Sequence, residues 1–214
     1  MSSRKRIILQ LCADTGSDSK PYQDDPRYEV ILVGKDIGVE NYHPPKGAVG
    51  IIANPVCTHF SQARRGKKGV KYPHTSDHQK GMELVKECLR IIDQAQPDWW
   101  VIENPATGQL QRYLGKPKAT YKPWQYGSPW GKFTALWGKF NMPPTIYKTW
   151  AEVPNKIPEL WIRSGRQIPS LAYQHKSAYQ FMPEFAELPV PTSDMEFRSL
   201  CSQRFAKAFK EVNP

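Results

Sequence analysis

The chain has 214 residues, of which 39% are hydrophobic and 12% aromatic. It is therefore long enough for one well-buried domain, with or without a modest insert, and its composition excludes a disordered polymer. No run of about 18 apolar residues occurs, which excludes a membrane-spanning helix. The formal net charge of +10 favours a polyanionic partner, most often nucleic acid, over a merely soluble basic protein.

Four apolar runs predict β-strands. They are, in chain order, "RIILQLC" (6–12), "YEVILVG" (28–34), "AVGIIAN" (48–54) and "WWVIEN" (99–104). Near-continuous runs of this kind are typical of strands covered on both faces of a parallel sheet. Between the third and fourth runs, apolar residues recur at helical spacing from Met82 to Ile92, which predicts a helix within 76–98. This order indicates an α/β fold with a doubly wound, mostly parallel sheet.

The later part of the chain is less regular. Residues 141–194 are rich in proline and contain Trp150, Trp161, Arg163 and Arg166, but show little periodicity. The chain then closes with "FRSLCSQRFAKAFKEVN", in which apolar residues form one helical stripe. We therefore expect one domain made of 1–140 plus 195–214, and a small irregular insert at 141–194.

The cysteine pattern bears on location and chemistry. Cys12, Cys57, Cys88 and Cys201 are widely scattered and form no C-x-x-C pair, which argues against a metal site and against a disulfide framework. The apolar stretch that follows the basic N-terminus runs only from Ile7 to Leu11, too short for the core of a secretory signal. We expect a cytoplasmic protein with reduced thiols and no metal.

Polar and reactive residues cluster where the predicted strands end. Ligands gather at the carboxyl ends of the strands in an open parallel sheet. Asn54, Cys57, Glu103 and Asn104 are all expected on this rim. A single cysteine is more often buried packing than a nucleophile, but a carboxylate that ends an apolar strand is costly unless it is paired or functional. The combination predicts an active site.

Five pieces of the sequence occur together in a defined order: "LQLCADTGSDSKPY", "IIANPVCTHFSQAR", "WVIENP", "WQYGSPWGKFTALW" and "QRFAKAFKEVN". In these pieces and in their order the sequence resembles the DNA cytosine carbon-5 methyltransferase family. It is particularly similar to short, phage-type members that lack a large target-recognition domain. The resemblance covers most of residues 6–140 and the last helix, and only weakly 141–194, which would be a reduced target-recognition region. It implies a Rossmann-like class I methyltransferase fold and, for a phage enzyme, the host cytoplasm.

The resemblance also assigns catalytic roles. Cys57 corresponds to the nucleophile that adds to carbon-6 of cytosine and thereby activates carbon-5 toward an electrophilic methyl group. Glu103 corresponds to the carboxylate that holds ring nitrogen 3 and the exocyclic amine. Asn104 would position Glu103 or the nucleophile loop. Lys132 takes the place of the basic residue of the later strand motif, where a cation steadies the thiolate or the base.

S-Adenosylmethionine is the cofactor that the resemblance implies. The expected binding residues are the turn after the first strand, a residue near the end of the second, and the start of the nucleophile loop: Cys12, Ala13, Asp14, Thr15, Gly16, Ser17, Asp36 (or Glu40), Asn54 and Pro55. This side departs from the family pattern in several places. Cys12 replaces the aromatic that stacks on adenine, Asp14 replaces a glycine, Gly34 replaces the acidic residue for the ribose hydroxyls, and only one proline precedes Val56.

DNA is the partner that the resemblance implies. Arg64 and Arg65 follow the nucleophile loop and are natural phosphate contacts, although a solvated basic loop is an equal interpretation. The target base must leave the stack to reach a thiol at the sheet rim. Aromatic residues in the loop of Trp124, Tyr126 and Trp130 would support that base or pack in the core.

Other functions stay open on the sequence. "NPVC" partly resembles the Asn-Pro-Pro-aromatic loop of amino-methyltransferases, although Glu103 has no evident role in that chemistry. A noncatalytic nucleic-acid-binding protein on a methyltransferase scaffold fits the +10 charge and the altered cofactor turn. A carbon-5 modifying enzyme that uses another one-carbon donor, or a free pyrimidine nucleotide, is a third possibility.

Overall fold

The computed structural model describes residues 4–13, 15–60 and 75–214. Their regular elements, apart from short 3-10 turns, are β1 Arg6–Leu11, α1 Lys20–Gln23, β2 Tyr28–Val33, β3 Ala48–Ala53, α2 Thr75–Ala95, β4 Trp99–Pro105, α3 Gln111–Leu114, β5 Ala119–Tyr121, β6 Thr134–Lys139, α4 Asp194–Ser199 and α5 Gln203–Val212. The four predicted strands and the predicted long helix are all present.

The strands form one six-stranded sheet in the order β2-β1-β3-β4-β6-β5. The first four of these run parallel, while β6 lies antiparallel to β4. The register pairs Leu11 with Ala53 and Ala53 with Ile102, so β1, β3 and β4 end at the same edge. The predicted fold class is confirmed: this is an α/β fold with a mostly parallel sheet and flanking helices.

Helix α2 packs against this sheet through a narrow apolar stripe. Val85, Cys88 and Ile91 are fully buried in the same core as Ile51 of β3. The helix ends at Ala95, within the predicted range, where Gln96 adopts a left-handed backbone with φ of 47° and Pro97 follows. The strands are apolar on both faces, so each face of the sheet must be covered, and the apolar stripe of α2 covers part of one face.

The chain divides into two compact units. The sheet unit comprises Met1–Ala13, Asp25–Thr120 and Thr134–Phe140, and the C-terminal unit comprises Asp14–Asp24, Tyr121–Phe133 and Asn141–Pro214, each as far as it is described. By this grouping α5 clusters with the irregular 141–194 region. The expected catalytic domain (1–140 plus 195–214) with an insert (141–194) stays a prediction.

The C-terminal unit has its own apolar core. Its fully buried aromatic side chains include Trp130, Phe185 and Phe197. Between 141 and 194 the regular structure consists of short 3-10 helices and the start of α4. Helix α5 begins after Ser202, whose hydroxyl accepts a hydrogen bond from the Phe205 amide at 3.1 Å.

The described residues contain neither a membrane-spanning helix nor a metal-binding group of side chains. None of the helices in these ranges is long and apolar enough to cross a membrane. Across the same ranges, no group of three or more His, Cys, Asp or Glu side chains is arranged to hold a metal ion.

Candidate active site

Cys57 lies on a short turn directly after β3. The strand ends at Ala53, and Asn54, Pro55 and Val56 lead into a 3-10 turn at Cys57–His59. The Cys57 carbonyl accepts the Phe60 amide at 3.0 Å, which closes the turn. The Cys57 side chain is exposed, whereas Cys88 and Cys201 are buried. Cys57 is therefore not core packing, the alternative that the sequence alone had favoured for a lone cysteine.

The backbone that carries Cys57 is held at several points within the sheet unit. The Asn54 amide donates to Leu11 of β1 at 3.0 Å, and the Phe60 carbonyl accepts the Gln109 amide at 2.9 Å. Phe60 is fully buried. A Cβ added at Gly81 of α2 would lie 2.7 Å from the Phe60 ring, so the helix packs directly on this turn. The thiol is thus presented from an anchored segment rather than from a loose loop.

A chain of polar side chains crosses the three strand ends. Gln10 on β1 donates from Nε2 to Asn54 Oδ1 at 3.2 Å, and Asn54 donates from Nδ2 to Glu103 Oε2 at 3.4 Å. Gln10 is buried and Glu103 is half-buried. The hydrogen bond from Gln10 occupies the Asn54 oxygen, so the NH2 group of Asn54 is directed toward the carboxylate of Glu103.

Gln10 was not among the residues that the sequence singled out. It stands inside the apolar run "RIILQLC" and is 2% exposed. A buried amide is costly unless it is hydrogen-bonded. A glutamine within a buried strand, one residue before its end, is therefore the signal from which this contact was predictable.

Asn104 is directed to the loop that carries Cys57. It is 1% exposed, and its Nδ2 donates to the Pro55 carbonyl at 2.9 Å. Successive side chains on a strand point to opposite faces, so Asn104 and Glu103 diverge. Of the two expected roles for Asn104, the observed contact corresponds to positioning of the loop. Its Oδ1 is buried and has no hydrogen-bond partner among the described residues.

The end of β1 has a different character. Cys12 adopts a left-handed backbone with φ of 56°, and its sulfur lies 3.9 Å from the sulfur of buried Cys88. The hydrogen bond with Cys12, together with burial, raises the pKa of the Cys88 thiol well above its usual 9.0. Cys12 packs against the core of the sheet unit. The residue that takes the place of the family's aromatic therefore turns its side chain inward.

The neighbouring end of β2 approaches this turn closely. The Ala13 amide donates to the Val33 carbonyl at 3.1 Å. A Cβ added at Gly34 would lie 3.3 Å from the Ala13 carbonyl oxygen, which leaves little space for a side chain there. Asp36 and Glu40 are both exposed after β2. Asp14, between Ala13 and the next described residue, lies outside the described residues.

The rest of the predicted cofactor turn belongs to the C-terminal unit. Ser17 is fully buried, and its hydroxyl accepts the Cys201 amide at 3.1 Å. The Ser17 carbonyl accepts Gln203 Nε2, and the Gly16 carbonyl accepts Gln23 Nε2, both at 2.9 Å. Thr15 is half-buried, with its hydroxyl 3.0 Å from that of Ser17. Within this unit Ser17 anchors the start of α5, and its role toward a cofactor stays a prediction.

The remaining predicted residues separate in the same way. Lys132 lies in the C-terminal unit, where its Nζ donates to the Ser199 carbonyl at 3.3 Å. Trp124, Tyr126 and Trp130 are all buried, and Trp130 belongs to the apolar core of that unit. The structure brings together Asn54, Cys57, Glu103 and Asn104 in the sheet unit. Arg64 and Arg65 lie outside the described residues.

Comparison with known proteins gives limited similarity. No family model matches the chain. The chain is 30% identical over 92 residues to a probable DNA (cytosine-5)-methyltransferase of Frog virus 3 (isolate Goorha), an alignment that covers 40% of this chain and 43% of the viral protein. The chain thus spans less than half the length of that relative.

A solved structure also matches part of the chain. It is that of a protein assigned as a DNA modification methyltransferase encoded within a prophage of E. coli. The identity is 15%, the TM-score is 0.36, and the match covers 63% of this chain and 47% of the other. Similarity at this level does not extend to function.

Proposed function

We propose that this protein modifies cytosine at carbon-5 in DNA, by methylation through a covalent adduct with Cys57. One observation carries the proposal: an exposed thiol on an anchored turn stands beside a strand end whose carboxylate, Glu103, is linked to the same loop through Asn54. Since Ala53 pairs with Ile102, the residues that follow each of them, Asn54 and Glu103, are neighbours across the sheet edge.

The chemistry assigns one task to each group. The Cys57 thiolate forms a bond to carbon-6 while Glu103 holds nitrogen 3 and the exocyclic amine, so that carbon-5 gains enamine character. Carbon-5 then forms a bond to the methyl carbon as the bond between that carbon and its donor breaks, and the electron pair of the broken bond stays with the donor. Loss of the carbon-5 proton to a base and cleavage of the sulfur–carbon bond restore both the aromatic ring and the thiolate. Gln10 and Asn104 act through Asn54 and Pro55, and they are positioning residues.

The residues at the ends of β1 and β2 are the proposed site of a nucleoside-containing methyl donor. Cys12 makes a left-handed turn with φ of 56°, and a Cβ at Gly34 would lie 3.3 Å from the Ala13 carbonyl oxygen, so a ligand there would meet backbone rather than a side chain. Asp36 is exposed nearby in sequence and is the proposed partner of the ribose hydroxyls. S-Adenosylmethionine, when bound, would supply the electrophilic methyl group. The inward-turned Cys12 offers no aromatic face to an adenine.

Several further features support DNA as the substrate. The net charge of +10 favours a polyanion, and the viral relative is described as a probable DNA (cytosine-5)-methyltransferase. In this proposal Lys132 supplies a cation, and Arg64 and Arg65 contact phosphates. The short phage-type character and the cytoplasmic location stay predictions.

Mass spectrometry of digested nucleosides tests the proposal. Purified protein is incubated with cytosine-containing DNA and S-adenosylmethionine, and the expected product is a deoxycytidine heavier by one methyl group. Cys57→Ser removes the product because the hydroxyl is a far weaker nucleophile than the thiolate. Thr58→Ala, in the same turn, is the matched control and retains it. Full product formation by a folded Cys57→Ser protein would overturn the covalent mechanism.

A trapping experiment adds a readout that does not depend on turnover. DNA that contains 5-fluorocytosine cannot lose its carbon-5 substituent as a proton, so the adduct with Cys57 persists. The expected result is a protein–DNA band stable in denaturant that requires both the methyl donor and Cys57. Repeating the assay with free pyrimidine nucleotides or another one-carbon donor separates those substrates from DNA and S-adenosylmethionine.

A second candidate function is a noncatalytic nucleic-acid-binding protein on the same scaffold. The observation that favours it is the inward position of Cys12, with its sulfur 3.9 Å from Cys88, where an adenine-stacking aromatic is expected. This function predicts salt-sensitive DNA binding with no modified nucleoside and no covalent trapping. Detection of a modified nucleoside that depends on Cys57 would exclude it.

A further inference from the structure

The C-terminal unit exposes a cluster of aromatic and basic side chains that the proposed chemistry does not use. Trp161, Ile162 and Tyr173 are 54%, 44% and 51% exposed, and Arg163 and Arg166 are exposed as well. We call these five residues the Trp161 surface. Exposed large apolar side chains grouped in this way mark binding sites more often than isolated ones do.

Direct contacts hold the members of the surface together. The rings of Trp161 and Tyr173 meet edge to face with centroids 6.2 Å apart. The Arg163 guanidinium lies 5.6 Å from the centre of the Tyr173 ring, and its Nη1 donates to the Tyr173 hydroxyl at 3.4 Å. The Arg166 amide donates to the Arg163 carbonyl at 3.0 Å, which closes the turn that carries both arginines.

A buried glutamine fixes the backbone of the exposed tryptophan. Gln174 is 2% exposed; its Oε1 accepts the Trp161 amide at 3.0 Å, and its Nε2 donates to the Trp161 carbonyl at 2.7 Å. Leu160, immediately before Trp161, is buried in the core of the unit. Because both backbone groups of Trp161 are hydrogen-bonded to Gln174, its backbone is fixed before a ligand binds, and binding costs less entropy than at a mobile residue.

The charged members of the surface are both positive, and the nearest acidic residue in the sequence is the exposed Glu159. Residues 160–183 contain no aspartate or glutamate, while Arg163, Arg166 and Lys176 contribute three positive charges. Neither Arg163 nor Arg166 forms an ion pair with any residue in the described ranges. Asp194 is engaged elsewhere, since it accepts the Lys176 amide at 2.8 Å and lies 3.4 Å from Arg198.

We infer that the Trp161 surface binds a single-stranded segment of nucleic acid. A base stacks on the Trp161 ring, and the flanking phosphates meet Arg163 and Arg166. Aromatic faces beside cations are the usual means of binding nucleic-acid strands whose bases are accessible, because every base has a face that can stack. A duplex offers its phosphates but not the faces of its bases. The inference rests on the proposed function only in naming the same polyanionic substrate class, since no step involves Cys57.

The test is fluorescence anisotropy with the full chain, without methyl donor, and a fluorescein-labelled single-stranded oligodeoxynucleotide of mixed sequence. Trp161→Ala is expected to raise the Kd by about 5- to 100-fold through loss of one stacked base, and Trp161→Phe by much less. Arg166→Ala is expected to lower the slope of log Kd against log salt by about 0.7, the value for one phosphate contact on a single strand.

Matched variants make the outcome specific. Phe181→Ala removes another exposed aromatic of the same unit, and Lys207→Ala removes an exposed cation of α5; neither is expected to change the Kd. Equal effects of Trp161→Ala and Phe181→Ala would overturn the inference. Tighter binding of the matching duplex, with the same loss on Trp161→Ala, would overturn the single-strand specificity. Cys57→Ser separates the two proposals, because it is expected to bind the oligonucleotide normally while yielding no modified nucleoside.

Discussion

A cysteine follows each of two neighbouring strands of the sheet unit, and the two side chains point in different directions, one outward and one into the core. After β3, Cys57 stands exposed on a 3-10 turn beside the β4 end that carries Glu103. After β1, Cys12 turns inward and places its sulfur 3.9 Å from that of buried Cys88. Both strands end at one sheet edge, since Leu11 pairs with Ala53. The difference lies in the backbone that follows each strand.

The exposed Cys57 thiol and the buried Cys88 thiol differ in their physical environment. A thiol reacts as its thiolate, and burial in apolar surroundings disfavours the charged form. The raised pKa of Cys88 follows from its contact with Cys12 and from burial. Exposure leaves the Cys57 thiol accessible to a base or to solvent. A cysteine at the end of a strand is therefore a candidate nucleophile only where the turn carries it out of the core.

The largest expected effect is a loss of methylation rate on substitution of Glu103, which lies on β4 beside the exposed Cys57 turn. Glu103→Gln keeps the side-chain volume and still accepts a hydrogen bond from Asn54, but it cannot act as an acid toward nitrogen 3. The rate of formation of methylated deoxycytidine is expected to fall by about 100- to 10,000-fold. Glu83→Gln, an exposed carboxylate of α2, is the control and is expected to keep the wild-type rate. An unchanged rate in Glu103→Gln would remove Glu103 from the site.

Alkylation sharpens the contrast between the cysteines directly. In folded protein, iodoacetamide is expected to modify Cys57 at least about 100-fold faster than Cys88, because Cys88 becomes accessible only when the structure opens. Peptide mass spectrometry over a time course measures both rates in one sample. Addition of denaturant is expected to equalise them. Fast labelling of Cys88 in native protein would contradict the buried position of its thiol.

Gln10 tests whether the β1 end contributes to the site at the β3 and β4 ends. Gln10→Leu removes the donor to Asn54 Oδ1 and leaves the Asn54 amide less firmly oriented. The expected result is a fall in kcat of about tenfold with little change in KM for DNA, the value of one lost neutral hydrogen bond. A change in KM alone would assign Gln10 to binding instead of positioning.

The smallest effect is a dependence of stability on alkaline pH. Because the pKa of Cys88 is raised in the folded state, the unfolded chain loses this proton first as pH rises above the ordinary value of 9.0. Its contribution to the free energy of unfolding is thus complete below that value and is lost above it, up to the raised pKa. Denaturant titrations at several alkaline pH values are expected to show this decline in wild type and its removal in Cys88→Ala.

Cys12→Ala provides the matched comparison for that measurement. It removes the first cause of the raised pKa while leaving the Cys88 thiol buried. The decline with pH is expected to persist but to become shallower than in wild type. Identical pH profiles for wild type and Cys88→Ala would show that the thiol pair does not contribute to the alkaline dependence.

Local pattern predicted much of the sheet unit. The four near-continuous apolar runs became β1 to β4, and the helical spacing of Val85, Leu89 and Ile92 predicted α2. These patterns succeed because strand and helix periods decide which side chains a segment can bury. The antiparallel insertion of β6 beside β4 was not predicted, since strand order depends on packing between segments that are distant in the chain.

The α/β class and the candidates Cys57, Glu103 and Asn104 were predictable from the sequence, because residue type and position after a strand are local properties. The folded structure was needed to show that Cys57 is exposed while Cys12 faces Cys88, and that buried Gln10 reaches Asn54. Those outcomes depend on the direction of a turn and on hydrogen bonds between strands far apart in sequence. Burial and partners arise from the assembled chain, and they decide which of several similar side chains can take part in chemistry.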